Sequence, residues 1–214
     1  MQDTFKHKGM RRQLINELRE KGIENEQILE AFDAIPRHFF LDLVFEQQAY
    51  SNQAFQIGAG QTISHPYTVA FQTHLLELKK GEKVLEIGTG SGFQTCILCK
   101  LGAKVFSIER QRELFLKAKK IIEHFNFNPR LVYGDGYAGL PLLAPFDKVL
   151  VTCGAPEVPA ALIDQLKEGG IMVIPVGEGK DQVMLKIKKL PDGEVDIQQY
   201  GVFSFVPMLE NKVK

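Results

Sequence analysis

The chain has 214 residues, 44% hydrophobic and 24% charged, and its 26 basic residues balance 26 acidic ones. A chain of this length buries roughly 70% of its unfolded surface, so no metal or disulfide is needed to hold it, and three cysteines, an odd count, argue against a disulfide framework. Zero formal charge excludes a globally basic nucleic-acid binder, which would lean on clustered Lys and Arg.

The opening MQDTFKHKGMRRQ lacks the apolar stretch of a secretory signal. The longest apolar runs, such as 171–176, fall far short of the ~20 residues that span a bilayer. These features predict a cytoplasmic protein with neither nucleic acid nor membrane as partner, and a monomer is expected.

Residues 1–35 predict helix: Leu14, Ile15 and Leu18 form one apolar patch, and Ile28, Leu29 and Phe32 another after a break at Gly22. Pro36 ends that run. Residues 36–66 show no clear period and carry the turn signal Gly58-Ala59-Gly60, so an irregular segment with short helical turns is expected. From residue 67 the pattern alternates. A helix over 67–78 precedes a strand at 83–87, a helix at 93–101, a strand at 104–108 and a helix at 111–125. Strands follow at 130–133 and 147–152, then a helix at 159–166 stopped by Gly169-Gly170, and a strand at 171–175.

Such alternation calls for βαβ units, a mostly parallel sheet and helices on both faces. Two strand-like runs, 182–190 and 195–205, flank Pro191-Asp192-Gly193 and read as an antiparallel hairpin. The expectation is a single domain over 1–214: a helical extension and covering segment (1–66), a binding core (67–176) and a hairpin region (177–214).

The strongest local signal is Val84-Leu85-Glu86-Ile87-Gly88-Thr89-Gly90-Ser91-Gly92. It runs strand, glycine turn, helix, which presents a ligand at the carboxyl edge of a parallel sheet. The G-x-G-x-G spacing differs from the G-x-G-x-x-G of dinucleotide binders. Two more acids end the next strands, Glu109 and Asp135, the latter between Gly134 and Gly136. An acid at the second strand tip suits ribose hydroxyls. Three acids at adjacent tips, with no Lys or Arg in the glycine loop, suit a cationic amino-acid part, a ribose and an amino-bearing base: S-adenosylmethionine. Taken singly, Glu109 reads equally as a helix cap and Asp135 as a turn residue.

Glu86-Ile-Gly-Thr-Gly-Ser-Gly resembles the first motif of class I S-adenosylmethionine-dependent methyltransferases. The run Ile57-Gly-Ala-Gly-Gln-Thr-Ile-Ser-His-Pro-Tyr-Thr-Val-Ala70 resembles, more specifically, the signature of the protein-L-isoaspartate O-methyltransferase family. The likeness continues through Ile35-Pro36-Arg37-His38-Phe39, Gly134-Asp135-Gly136, 159–170 and Phe205-Val206-Pro207.

The resemblance implies a doubly wound, Rossmann-like α/β sheet of about seven strands with an antiparallel carboxyl-terminal hairpin, and S-adenosylmethionine as cofactor. It implies proteins and peptides with L-isoaspartyl or D-aspartyl residues as substrates. It also implies site residues. Glu86, Gly88, Gly90 and Gly92 would form the cofactor loop around the methionine part, Glu109 would take the ribose, and Asp135 with Gly136 the adenine. Thr62, Ile63 and Ser64 would lie across the methyl donor, with Ser64 and Thr62 catalytic, and Val69 would approach the cofactor. Competing readings are another class I methyltransferase acting on a small molecule, and a non-catalytic cofactor-binding domain.

Other signals carry less. Cys96-x-x-Cys99 lies in an apolar helix with no second Cys/His pair, so burial is expected. Cys153 has no histidine partner marking it as a nucleophile, and the histidines lack the i, i+4 spacing of a zinc helix.

Overall fold

The computed structural model describes residues 2–213. Helix α1 (Phe5–Glu20) starts in a capping box, with the Thr4 hydroxyl accepting from the His7 amide and the His7 ring accepting from the Thr4 amide. Gly22, at φ +90°, reverses the chain, and the Asn25 side chain caps α2 (Glu26–Ala34) by accepting from two amides. Two 3-10 turns, Arg37–Phe40 and Leu43–Gln48, lead into β1 (Phe55–Gly58) and β2 (Gln61–Ile63). Helix α3 (Pro66–Leu75), β3 (Lys83–Ile87), α4 (Phe93–Lys100), β4 (Lys104–Glu109), α5 (Arg112–His124) and β5 (Arg130–Tyr133) follow. The chain continues through β6 (Phe146–Val151), α6 (Ala160–Asp164), β7 (Leu166–Val176), β8 (Gln182–Lys189) and β9 (Val195–Phe203).

Strands β3 to β9 form one seven-stranded sheet in the order β5-β4-β3-β6-β7-β8-β9. β3 to β7 run parallel to their neighbours, and β8 and β9 are antiparallel additions. This is the mostly parallel seven-stranded sheet, with its antiparallel hairpin and amino-terminal helices, that the alternation and the resemblance imply. After β3 the chain moves outward through β4 to β5, then returns to place β6 on the other side of β3. That reversal opens a crevice at the carboxyl ends of the central strands, where open α/β sheets bind ligands.

Apolar packing fixes the layers. Leu14, Leu18, Ile28 and Phe32 from the first two helices join Phe93, Ile97 and Ile122 from α4 and α5 in one cluster. A second cluster gathers Ile87, Val149, Leu162 and Met172. Phe93 anchors the first, meeting Phe32 edge-on at 5.6 Å and Phe40 at 5.3 Å. The amino-terminal helices therefore cover α4, whose first residue follows the glycine loop.

Three expectations change. Part of the 36–66 segment is an antiparallel hairpin, β1 with β2, because Gly58, Ala59 and Gly60 all take positive φ (100°, 50° and 67°) and turn the chain sharply. The helix expected over 159–166 is only Ala160–Asp164, and Gly169-Gly170 lies inside β7 instead of stopping a helix. A Cβ on Gly170 would sit 2.8 Å from the Lys167 carbonyl oxygen, so glycine is needed for the irregular pairing there. The helix expected to reach residue 78 ends at Leu75, with Glu77 at φ +49°.

Asp3, His7 and His38 also meet near the start of α1. The two imidazoles stack at 3.8 Å with 22° between planes, so their in-plane lone pairs cannot converge on one ion. Asp3 is engaged by Arg11 and His7 by Glu46, which makes the group a fastening of the amino-terminal helix.

Candidate active site

The glycine loop leaves β3 at Gly88 (φ +95°) and passes Gly90 (φ +54°) to Gly92 (φ +86°), the amino-terminal cap of α4. Neighbouring strand tips hold it from both sides. The amides of Gly88 and Thr89 donate to the Ile108 carbonyl at 2.9 and 3.2 Å. The Thr152 amide donates to Ile87, and its hydroxyl donates to the Gly88 carbonyl at 2.7 Å. A Cβ on Gly88 would lie 2.6 Å from the Thr152 hydroxyl oxygen. Gly88 and Gly90 line the cleft. Gly92 does not: a Cβ there would meet Ile122 at 3.1 Å, so its role is close packing of α4 on α5.

The register puts the expected acids at adjacent tips, but their carboxylates face different ways. Glu109 lines the cleft, 5% exposed. Its Oε2 accepts from the Gly90 amide and its Oε1 from the Gln111 amide, both at 2.8 Å. Burial raises its pKa while those amides pull it back. Each carboxylate oxygen keeps a second acceptor site, so Glu109 is fixed and still able to receive two hydroxyls.

Glu86 is fully buried behind the loop and is not part of the cleft wall. Its Oε2 accepts from the Thr95 hydroxyl at 2.6 Å, and its Oε1 has no partner. Burial pushes this carboxyl up to about 7. Asp135 is held as a turn residue. Its Oδ1 accepts from the Tyr137 amide at 2.9 Å and its Oδ2 from the Asn211 amide at 2.7 Å. Its neighbour Gly136 lines the cleft, and a Cβ there would strike Ile87 at 2.4 Å.

Thr62, Ile63, Ser64 and Val69 line the same cleft. The hairpin pairs Gln56 with Thr62 and Phe55 with Ile63, which turns the Thr62–Ser64 backbone toward the glycine loop. Ile57 closes the junction, 3.6 Å from where a Gly90 Cβ would be. Ser64 does not cap α3: the cap position belongs to His65, without a side-chain bond, and Pro66 opens the helix.

Sequence reasoning left several groups without a role. Thr152, Cys153 and Val206 to Leu209 complete the wall; the only signals for them were the Thr-Cys-Gly after the fourth predicted strand and the Val-Pro pair. Arg37, quoted in the resemblance without a role, is 1% exposed. Its Nε donates to the Ala49 carbonyl and its Nη2 to Gln53, both at 3.0 Å, and its guanidinium lies 5.4 Å from the Phe93 ring centre. Burial lowers it to about 9. It ties down the chain just before β1. Cys96 is fully buried in α4 as expected, Cys99 partly so, and all three cysteines are free thiols. Burial raises Cys153 to about 12, leaving it an inert wall.

These residues fit the expected cofactor. Gly88 and Gly136 must stay bare because a Cβ would strike Thr152 and Ile87, so backbone alone faces the cleft there; Glu109 offers fixed acceptors, and the unpartnered Glu86 oxygen puts acidic character behind the loop.

Residues 9–213 match the protein-L-isoaspartate(D-aspartate) O-methyltransferase family. Protein-L-isoaspartate O-methyltransferases of Christiangramia forsetii and Flavobacterium psychrophilum are 55% and 56% identical over 213 residues, covering 99% of this chain and 100% of theirs. A solved protein-L-isoaspartate O-methyltransferase, 30% identical, superposes with a TM-score of 0.83 over 94% of this chain and 66% of that one. A Plasmodium falciparum chain solved in complex with S-adenosyl-L-homocysteine, 24% identical, shares the fold at a TM-score of 0.82 over 96% of this chain and 99% of its own. A family match over nearly the full length, with relatives more than half identical end to end, leaves one conclusion: this chain belongs to the protein-L-isoaspartate (D-aspartate) O-methyltransferase family of S-adenosylmethionine-dependent methyltransferases.

Proposed function

We propose that the cleft methylates the free α-carboxylate of L-isoaspartyl residues, and the side-chain carboxylate of D-aspartyl residues, in damaged proteins and peptides, and that Thr62 and Ser64 hold that carboxylate. The observation that carries this reading is the meeting of the Thr62–Ser64 strap with Gly88, Gly90, Glu109 and Gly136 in one cleft. Bound S-adenosylmethionine would supply an electrophilic methyl on a sulfonium.

The wall contains no evident general base, and the reaction does not require one. Its titratable side chains are Glu109, Arg110 and Cys153. An α-carboxyl has a reference pKa near ~3.5, so the acceptor is already ionised at neutral pH. What this chain provides is alignment, for which well-oriented partners gain roughly 7–11 kcal/mol. Hydroxyl donors orient a carboxylate without the tight ground-state grip of an arginine, which would not raise the chemical rate.

We assign Gly88 and Gly90 to the methionine part, with Glu86 contributing its charge from behind the loop. Glu109 takes the ribose, Gly136 with Asp135 borders the adenine, and Ile63 and Val69 form the apolar side. Gly92 supports the loop by packing. Residues 67–176 act as the cofactor core, 1–66 carry the acceptor wall and 177–214 close the site. We take the enzyme to repair proteins as a cytoplasmic monomer with no nucleic-acid or membrane partner. The charge balance and free cysteines support this, and no helix among the described residues is long and apolar enough to cross a membrane.

Labelled methyl donor incubated with peptides that differ only in Asp versus isoAsp tests the assignment. Base-labile label on the isoAsp peptide alone is expected. Ser64→Ala should lower turnover roughly tenfold, about the loss of one hydrogen bond to a charged group, with S-adenosylhomocysteine affinity unchanged. Equal labelling of both peptides would refute the substrate, and labelling unaffected by Ser64→Ala would refute the role of that hydroxyl.

A further inference from the structure

We infer that Gln94 selects the cofactor. Its side-chain carbonyl receives an N–H of the ammonium on the methionine part, and so separates S-adenosylmethionine from adenosine thioethers that lack an amino group. This rests on the reading of the cleft as the cofactor site. Gln94 is the second residue of α4, two positions beyond Gly92, and it lines the cleft while only 7% exposed. Its Nε2 donates to the Thr73 hydroxyl on α3 at 3.0 Å, and its Oε1 is buried with no partner.

A relay fixes which way this amide faces. The Val69 carbonyl can only accept, and the Thr73 hydroxyl donates to it at 2.7 Å. A hydroxyl has one proton, so with that proton on Val69 the Thr73 oxygen meets Gln94 as an acceptor. The atom facing Thr73 is therefore the amide nitrogen, because the flipped amide would set two acceptors against each other. Oε1 is left as an acceptor without a donor. Buried polar atoms in that state are costly and rare. No group among the described residues supplies the donor, so it comes from what the cleft binds.

The neighbourhood says which donor. The next residue, Thr95, holds Glu86, whose own Oε1 is also unpartnered. A carboxylate and a carbonyl oxygen placed at successive residues, both short of donors, call for a cation rich in N–H groups. The glycine loop that runs into α4 is the stretch assigned to the methionine end, where the cofactor carries its ammonium. The methyl acceptor instead brings a carboxylate, which this oxygen repels. A ligand without the amino group still enters the cleft but leaves Oε1 dry, and the penalty falls on that ligand alone.

The test uses the full chain with two ligands, S-adenosylhomocysteine and 5′-S-(3-carboxypropyl)-5′-thioadenosine, which differ only in the amino group. Wild type should prefer S-adenosylhomocysteine by calorimetry. Gln94→Leu, close in size but unable to accept, should shrink that preference by roughly 10–100-fold, the worth of one hydrogen bond to a charged group. The affinity of the amino-free ligand should hold or rise. Thr73→Val frees the amide to turn and should shrink the preference by a smaller factor. The peptide KM of Gln94→Leu at saturating cofactor should stay put. Equal losses for both ligands would make Gln94 a shaping residue only, and an unchanged preference would mean that the ammonium does not meet it; either overturns the proposal. A raised peptide KM with the preference intact would give the carbonyl to the acceptor peptide, which overturns it too. A wild-type protein that binds neither ligand would sink the cofactor reading and this role with it.

Discussion

The two walls of the cleft are built by different physics. The glycine-loop wall hangs on the tips of β3, β4 and β6, three parallel neighbours in the large sheet, and its turn is bonded to Ile108 on one side and Thr152 on the other. The acceptor wall, 61–64, belongs to a separate two-stranded sheet. Apolar contacts such as Phe45 on Phe55, at 5.0 Å, hold that hairpin, together with the chain before it that Arg37 grips. A wall integral to a sheet ladder is hard to move, so changes there should act on cofactor affinity. A wall propped from behind can shift by a fraction of an ångström, so changes there should act on rate.

The largest effect should come from Gly88→Ala. The position combines φ +95° with a Cβ site 2.6 Å from the Thr152 hydroxyl, and both penalties fall on the rigid wall. Strain of this kind costs about 1–3 kcal/mol and the clash adds to it. S-adenosylhomocysteine affinity measured by calorimetry should fall by about 100-fold or more. Thr152→Ala in the same chain should recover part of the loss by removing the clash while leaving the strain. Affinity within a few-fold of wild type would show that this wall yields as easily as the other.

Arg37→Met tests the propped wall. It leaves the Ala49 carbonyl without its donor, at about 1–3 kcal/mol for a buried group, partly offset by removing a buried cation. A net loss of about 2 kcal/mol should lower Tm by roughly 4–8 °C at this chain length. The informative readout is the split: methylation of an isoAsp peptide should fall about tenfold as the Ser64 segment shifts, with S-adenosylhomocysteine affinity nearly unchanged. Equal losses in both would erase the distinction between the walls.

The same division governs what the sequence could reveal. The cofactor wall was legible because short apolar runs, a glycine turn and an acid at each strand end repeat a local pattern, and a parallel sheet then brings the tips together. The acceptor wall was legible only through its resemblance. Strands of four and three residues are too short for a period to emerge, and a buried arginine contradicts the usual placement of that residue type. Asp135 illustrates a third limit. Its position at a strand tip could be read locally, but its partner Asn211 lies 76 residues away, and no local pattern predicts that the carboxylate accepts from that backbone amide. Gly169-Gly170 was misread because a paired glycine stops a helix and loosens a strand with equal ease.

Glu86 is the finest probe, since it sits behind the rigid wall with one oxygen unpartnered and changing it should touch neither wall's geometry. An acid raised from an ordinary 4.5 to about 7 keeps its proton in the folded state after the unfolded chain has lost it. Stability therefore falls as pH rises from about 4.5 to 7, and the full penalty persists above that. Glu86→Gln does not titrate, so its stability relative to wild type should climb across that window by about 2–3 kcal/mol and then level off. Urea unfolding of both proteins between pH 4.5 and 8, without cofactor, measures the difference directly, because the other titrating groups are shared. A difference flat with pH would mean that Glu86 is paired in solution and carries no unspent charge. If the charge instead awaits a cation across the loop, adding S-adenosylhomocysteine should shrink the pH-dependent part of the gap, because its ammonium would favour the ionised wild-type carboxylate.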